Sequence, residues 1–137
     1  MRVEGVGLKY NPLAANLHGK NVVLVDDSIV RGTTVKKLVR LLKSAGAKTV
    51  HVRIASPPLK HPCYMGIDMK TENELIAHNM AIEEVAKFID ADSLGYLSLE
   101  GMIEAVSNET TTKRNGVINS YCTACFTGQY PLAIDAW

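Results

Sequence analysis

The stretch from residue 22 to 54 constrains the fold more than any other part of the chain. Val22-Val23-Leu24-Val25 is a continuous apolar run rich in β-branched residues, the pattern of a parallel strand covered on both faces. It stops at Asp26-Asp27. Beyond Gly32-Thr33-Thr34, the residues Val35, Leu38, Val39 and Leu42 recur at offsets of three, four and seven, which is one face of an amphipathic helix. That helix is predicted to close at Gly46, after Ala45, in a glycine cap. Thr49-Val50-His51-Val52-Arg53-Ile54 then reads as a second strand. A strand, a helix and a strand in this order make a parallel crossover unit, so the fold class is α/β with a Rossmann-like parallel sheet and flanking helices.

The remaining elements are spelled out less sharply. Val6 to Tyr10 reads as a short strand before the Asn11-Pro12 turn signal. Pro57-Pro58 ends the second strand, because proline cannot donate to a ladder. Residues 57–70 are irregular and contain Cys63 and Gly66. Glu72 to Ala77 is expected to form a short helix. Ile82, Val85, Ala86 and Ile89 mark another, with Asn79 as its candidate cap. Leu94 to Leu97 reads as a third parallel strand. Leu99, Met102, Ile103 and Val106 mark a last helix, with Ser98 placed as N-cap. Residues 1–106 are therefore expected to form one domain, and residues 107–137 an irregular tail that Tyr130 and Trp137 anchor. His51 and His78 are read as ordinary structural residues without partners.

With 47% hydrophobic and 21% charged residues over 137, the chain supports a real core, and the composition excludes a mainly disordered, collagen-like or disulfide-dense chain. Fifteen basic against fourteen acidic side chains ask for neither nucleic acid nor an acidic membrane as partner. The basic stretch Arg31 to Lys43 is interrupted by Leu38, Val39, Leu41 and Leu42, as in a helix with one solvated face. No apolar run spans a bilayer, and no signal segment follows Arg2, so a cytoplasmic location is expected. Three cysteines cannot pair completely within the chain; free thiols or metal ligands are expected instead.

Open parallel sheets bind ligands beyond the carboxyl ends of their strands. Asp26 to Thr34 falls there. Gly32 lets backbone NH groups approach an anion, Ser28, Thr33 and Thr34 offer hydroxyls, and the following helix points its positive end at the loop. These residues suit a terminal phosphate. Asp26 and Asp27 suit sugar hydroxyls, or a divalent cation shared with a diphosphate. An ordinary βα turn in which Asp27 or Ser28 caps the helix is the other reading of the same residues. The loop is neither a P-loop nor a Gly-x-Gly-x-x-Gly turn.

Cys122 and Cys125 form a Cys-x-x-Cys pair that does not open a helix after a strand, which argues against a thioredoxin-like role. With Cys63 they would suit a structural metal pinning the tail, His61 completing a Cys₃His zinc site, or they are plain thiols.

The run Val22 to Thr34, with its core Asp26-Asp27-Ser28-Ile29-Val30-Arg31-Gly32-Thr33-Thr34, resembles the phosphoribosyl diphosphate (PRPP) motif of type I phosphoribosyltransferases, and most closely that of their glutamine-dependent amidotransferase members. Ser56-Pro57-Pro58 with His61 to Asp68, Glu74-Leu75-Ile76-Ala77, and Cys122 to Pro131 are three further matches in the same order. The resemblance implies that Asp26 and Asp27 hold the ribose 2'- and 3'-hydroxyls and help place Mg²⁺, and that the 5'-phosphate rests on Ser28 to Thr34. It implies transfer of glutamine-derived ammonia to C1 of PRPP, the first step of purine synthesis, with no covalent nucleophile among these residues.

One branch of that family carries a 4Fe–4S cluster on four cysteines. Cys63, Cys122 and Cys125 match three of them, and the fourth lies outside this chain. By the same resemblance the glutaminase part, the first transferase strands, the pyrophosphate loop and the closing loop are also absent. The isolated chain is then expected to be incomplete and inactive, with exposed sheet edges driving homo-oligomer formation or swapping. A non-catalytic PRPP- or nucleotide-binding regulatory module and a structural metal-binding or assembly module are the competing readings.

Overall fold

The structure, a computed structural model, describes residues 14–109 and 121–133. The strand expected at Val6 to Tyr10, the polar stretch 110–120 and Trp137 lie outside the described residues. A short helix α1 (Ala14–Leu17) leads into β1 (Asn21–Asp26), α2 (Thr33–Ser44) and β2 (Thr49–Ile54). A long connection follows, with a 3₁₀ turn at Glu72–Glu74, α3 (Ile76–Asn79) and α4 (Ile82–Phe88). β3 (Ser93–Tyr96), α5 (Leu99–Glu109) and α6 (Ala124–Thr127) complete the order.

The three strands form a parallel sheet in the order β1-β2-β3. Val22 lies opposite Val50, Leu24 opposite Val52 and Asp26 opposite Ile54. Because side chains alternate along a strand, this register brings Val50, Val52 and Ile54 to one face together with Leu24. Val35 and Val39 of α2, Val85 of α4, and Ile29, Ile76 and Ile89 pack on that face as one cluster. The helical periodicity of Val35, Leu38 and Val39 is thus the buried stripe of α2.

The opposite face corrects the expectation that β1 is covered on both sides. Val23 and Val25 are 61% and 69% exposed, and no described residue covers them. An unbroken apolar run shows that a strand can be buried twice, but the layers to do so must be supplied from elsewhere.

Local chemistry explains most helix boundaries. The N–H of Gly46 donates to Lys43 O and that of Ala47 to Leu42 O, a Schellman closure with Gly46 at φ 96°. Ser98 caps α5, its Oγ accepting the Gly101 N–H at 3.0 Å. Asn79 does not cap α4. It closes the preceding turn, its Nδ2 donating to Leu75 O at 3.1 Å, while Glu84 Oε2 accepts the Ala81 N–H at the start of α4. The helix expected over Glu72 to Ala77 is broken by Leu75, whose extended backbone (φ −94°, ψ 105°) buries its side chain completely. Burial of one leucine outweighs continuity of a short helix. β3 begins one residue before the expected Leu94 and ends at Tyr96. No helix among the described residues is long and apolar enough to cross a membrane.

Candidate functional site

A cavity of about 320 Å³ opens beyond the carboxyl end of β1, lined by the continuous segment Asp26 to Val35 with Leu38. Every residue of the predicted phosphate loop therefore borders one space. Gly32 is the N-cap of α2, in the left-handed region at φ 71°, and no side chain caps the helix there. The alternative reading of a βα turn capped by Asp27 or Ser28 is thus not what forms. The first amides of a helix have no intrahelical acceptor, so those of Thr33 and Thr34 remain available to an anion. The side chains of Thr33 and Thr34 are exposed and that of Ser28 is half-buried.

The two carboxylates sit at the lip. Asp26 Oδ1 accepts the Asp27 N–H at 3.0 Å, and Asp27 Oδ1 accepts the Ser28 N–H at 2.9 Å. Partial burial raises the Asp26 pKa. The Asp27 amide opposes that shift, and the neighbouring Asp27 charge adds to it. Two adjacent carboxylates under this repulsion fit a divalent cation or hydroxyl donors, either of which relieves it.

Ile29 and Arg31, which also border the cavity, tie the loop to the rest of the fold. The Ile29 side chain is 2% exposed in the main core, leaving its backbone at the cavity. Arg31 pairs with Glu74. Val30 O accepts the Ile76 N–H at 2.8 Å, and Ile76 Cδ1 lies 3.0 Å from where a Gly32 Cβ would be. The segment Glu74-Leu75-Ile76 is therefore the buttress of the loop. Sequence reasoning found that motif without a role for it, since its partners lie more than forty positions upstream.

The cysteine segments also meet. The amides of Lys60 and His61 both donate to Cys125 O at 3.0 Å, and Tyr130 Oη donates to Pro62 O at 2.7 Å. Cys63 and Cys125 pack against the second apolar cluster of Leu59, Met69 and Leu75. Tyr130 thus anchors the tail as expected. Burial pushes the Cys125 thiol up, and nearby Cys63 and Cys122 push it further. In the metal-free protein, exposed Cys122 should react with iodoacetamide about tenfold faster than Cys125 at neutral pH, read by peptide mass spectrometry. Equal rates would mean that the tail does not pack on the 59–63 loop. The Cys₃His zinc alternative is not assembled: among the described residues no three of Cys63, Cys122, Cys125 and His61 bring ligand atoms within 4.8 Å of one another.

The comparisons agree with this geometry. Residues 3–83 match the family described as the phosphoribosyl transferase domain. The chain is 51% identical to an amidophosphoribosyltransferase of Archaeoglobus fulgidus over 98% of its length and 28% of the relative's. It is 48% identical to the amidophosphoribosyltransferase of Drosophila melanogaster, covering 96% of this chain and 24% of that one. Among solved structures, glutamine PRPP amidotransferase from B. subtilis complexed with ADP and GMP superimposes with a TM-score of 0.76 at 41% identity, over 96% of this chain and 29% of that chain. The chain thus spans less than a third of the length of these proteins. A loop of this composition at the end of a parallel strand, over a chain matched from residue 3 to 83, places the protein in the phosphoribosyl transferase domain family.

Proposed function

We propose that this chain carries the ribose-5-phosphate half of a PRPP site and serves the transferase step of a glutamine PRPP amidotransferase in purine synthesis, in the cytoplasm. The observation that carries the proposal is the single cavity bordered by Asp26 to Thr34 at the uncapped start of α2. In this reading the 5'-phosphate takes the free amides of the loop and the hydroxyls of Ser28, Thr33 and Thr34. Asp26 and Asp27 accept the 2'- and 3'-hydroxyls. Departure of pyrophosphate from C1 leaves positive charge on the ribose ring, before ammonia adds to give 5-phosphoribosylamine. The loop's contribution is orientation and electrostatics, with no covalent intermediate on the protein.

Asp26 and Asp27 would hold Mg²⁺, which when bound supplies positive charge to the diphosphate. Cys63, Cys122 and Cys125 would supply three ligands of a 4Fe–4S cluster. The Cys63 and Cys125 side chains pack on the same small cluster, and Cys63 Sγ accepts the Met65 N–H at 3.4 Å, the kind of contact that stabilises cluster sulfur. Such a cluster would pin the tail and take its fourth ligand from outside this chain. The exposed face of Val23 and Val25 supports cover by the glutaminase part and further transferase strands of a longer protein, or by a second copy in a homo-oligomer.

Titration with PRPP and Mg²⁺ by calorimetry tests the loop. Asp26→Asn and Asp27→Asn are each expected to weaken binding at least tenfold, and binding indifferent to both would reject the assignment. Asp26→Asn carries its own control for folding. A carboxyl whose pKa is raised in the folded state costs stability above its ordinary range and costs nothing below it, where folded and unfolded forms are both protonated. The variant should therefore melt higher than the parent at neutral pH. That gain should vanish in acid.

A further inference from the structure

Away from the phosphate loop, His61, Glu72 and His78 bring a ring nitrogen, a carboxylate oxygen and a second ring nitrogen within 4.8 Å of one another. We propose that they form a second metal site, for a divalent transition ion of the zinc class. It is distinct from Asp26 and Asp27 and from the three thiols.

Geometry on three sides supports it. His78 Nε2 lies 3.4 Å from Glu72 Oε2. Two donors on one tetrahedral ion, each about 2.1 Å from it, stand about 3.4 Å apart, so this pair already has the required separation. His78 Nδ1 lies 2.7 Å from Lys60 O. A carbonyl can only accept, so Nδ1 carries a proton there, and Nε2, on the Glu72 side, is the nitrogen placed to ligate. Orientation of a ligating histidine by a hydrogen bond at its other nitrogen is how metal sites fix the tautomer. The His61 ring meets that of His78 edge to face, at 6.2 Å between centroids and 80° between planes.

The scaffold under the donors is ordered by independent contacts. His61 is fixed through its amide to Cys125 O, and its ring lies against Gly128, where an added Cβ would come within 3.1 Å of Cε1 and Nε2. Glu72 and His78 belong to the turn held by Asn79, whose side-chain amide donates to both Glu72 O and Leu75 O. Two imidazoles and one carboxylate match zinc in hardness and number, leaving the fourth position to water. An ion there would clip the 57–63 loop, which the tail's Cys125 O already holds, to the 72–79 turn that includes the buttress residues Glu74 and Ile76. The expectation that His78 has no partner fails because its partners come from residue 60 and residue 72, in elements the sequence does not place beside it.

The test uses the full chain after chelator treatment, with Zn²⁺ and then Co²⁺ as probes. One equivalent of Zn²⁺ should bind to the parent. His78→Gln and Glu72→Gln should each weaken that binding at least tenfold, and Cys122→Ser should leave it within twofold. Glutamine at 78 can still donate to Lys60 O, and circular dichroism confirms that each variant is folded. The Co²⁺ form should show visible d–d bands without thiolate-to-metal charge transfer. Absence of one-equivalent binding, insensitivity to His78→Gln, or loss of binding in Cys122→Ser with charge transfer in the Co²⁺ spectrum would each overturn the site. None of these readouts depends on PRPP.

Discussion

Gly32→Val is expected to cost about 2–5 kcal/mol of folding stability, combining a left-handed backbone with overpacking, and to abolish PRPP binding. The residue sits at φ 71°, where an L side chain clashes with its own backbone and a β-branched one does so most. A Cβ there would also lie 3.0 Å from Ile76 Cδ1, 3.3 Å from Phe88 Cε1 and 3.4 Å from Ile89 Cγ2. Those atoms belong to or border the main core, so they cannot all retreat. Gly19 supplies the control. Its φ is 70° and nothing lies within 4 Å of its would-be Cβ. Gly19→Val pays the backbone strain alone, and the difference between the two variants in urea denaturation isolates the packing part. If both lose the same amount, the packing of Gly32 against Ile76, Phe88 and Ile89 is wrong.

Ile29→Ala is expected to lose about 2–5 kcal/mol, the range for removing a fully buried isoleucine. A domain of this size has only about 5–15 kcal/mol in total. Ile29 is the one member of the Asp26–Thr34 loop whose side chain is in the main core, at 2% exposure against Val35, Val39 and the β2 residues. Its deletion should release the loop as well as weaken the fold. PRPP affinity should therefore fall by more than tenfold even at temperatures where the variant remains folded. Val30→Ala, a half-buried neighbour that packs on the smaller cluster of Leu59, Met69 and Leu75, should cost clearly less. A reversed order in thermal melts would mean that Val30, not Ile29, is the anchor.

The sequence by itself determined the strand–helix–strand unit and the position of the loop from Asp26 to Thr34, because both rest on local causes. Alternation and helical offsets fix which residues of β2 and α2 can be buried, whereas the choice between a side-chain cap and the bare Gly32 start was made only in the folded loop. The caps that were legible, Ser98 and Gly46, are equally local. Asn79 was misread for the same reason in reverse: its side chain had two turns within reach, and only the placement of Leu75 decided which carbonyls it would meet.

Tertiary structure alone decided the rest. Whether β1 is covered on one face or two depends on layers that no window of sequence specifies, and Val23 and Val25 remain open among the described residues. The buttress of Arg31 on Glu74, the tie of Val30 to Ile76, and the meeting of His61, Glu72 and His78 join residues far apart along the chain. Such contacts are selected by the summed burial of the core that brings their elements together, so no local pattern around either partner announces them.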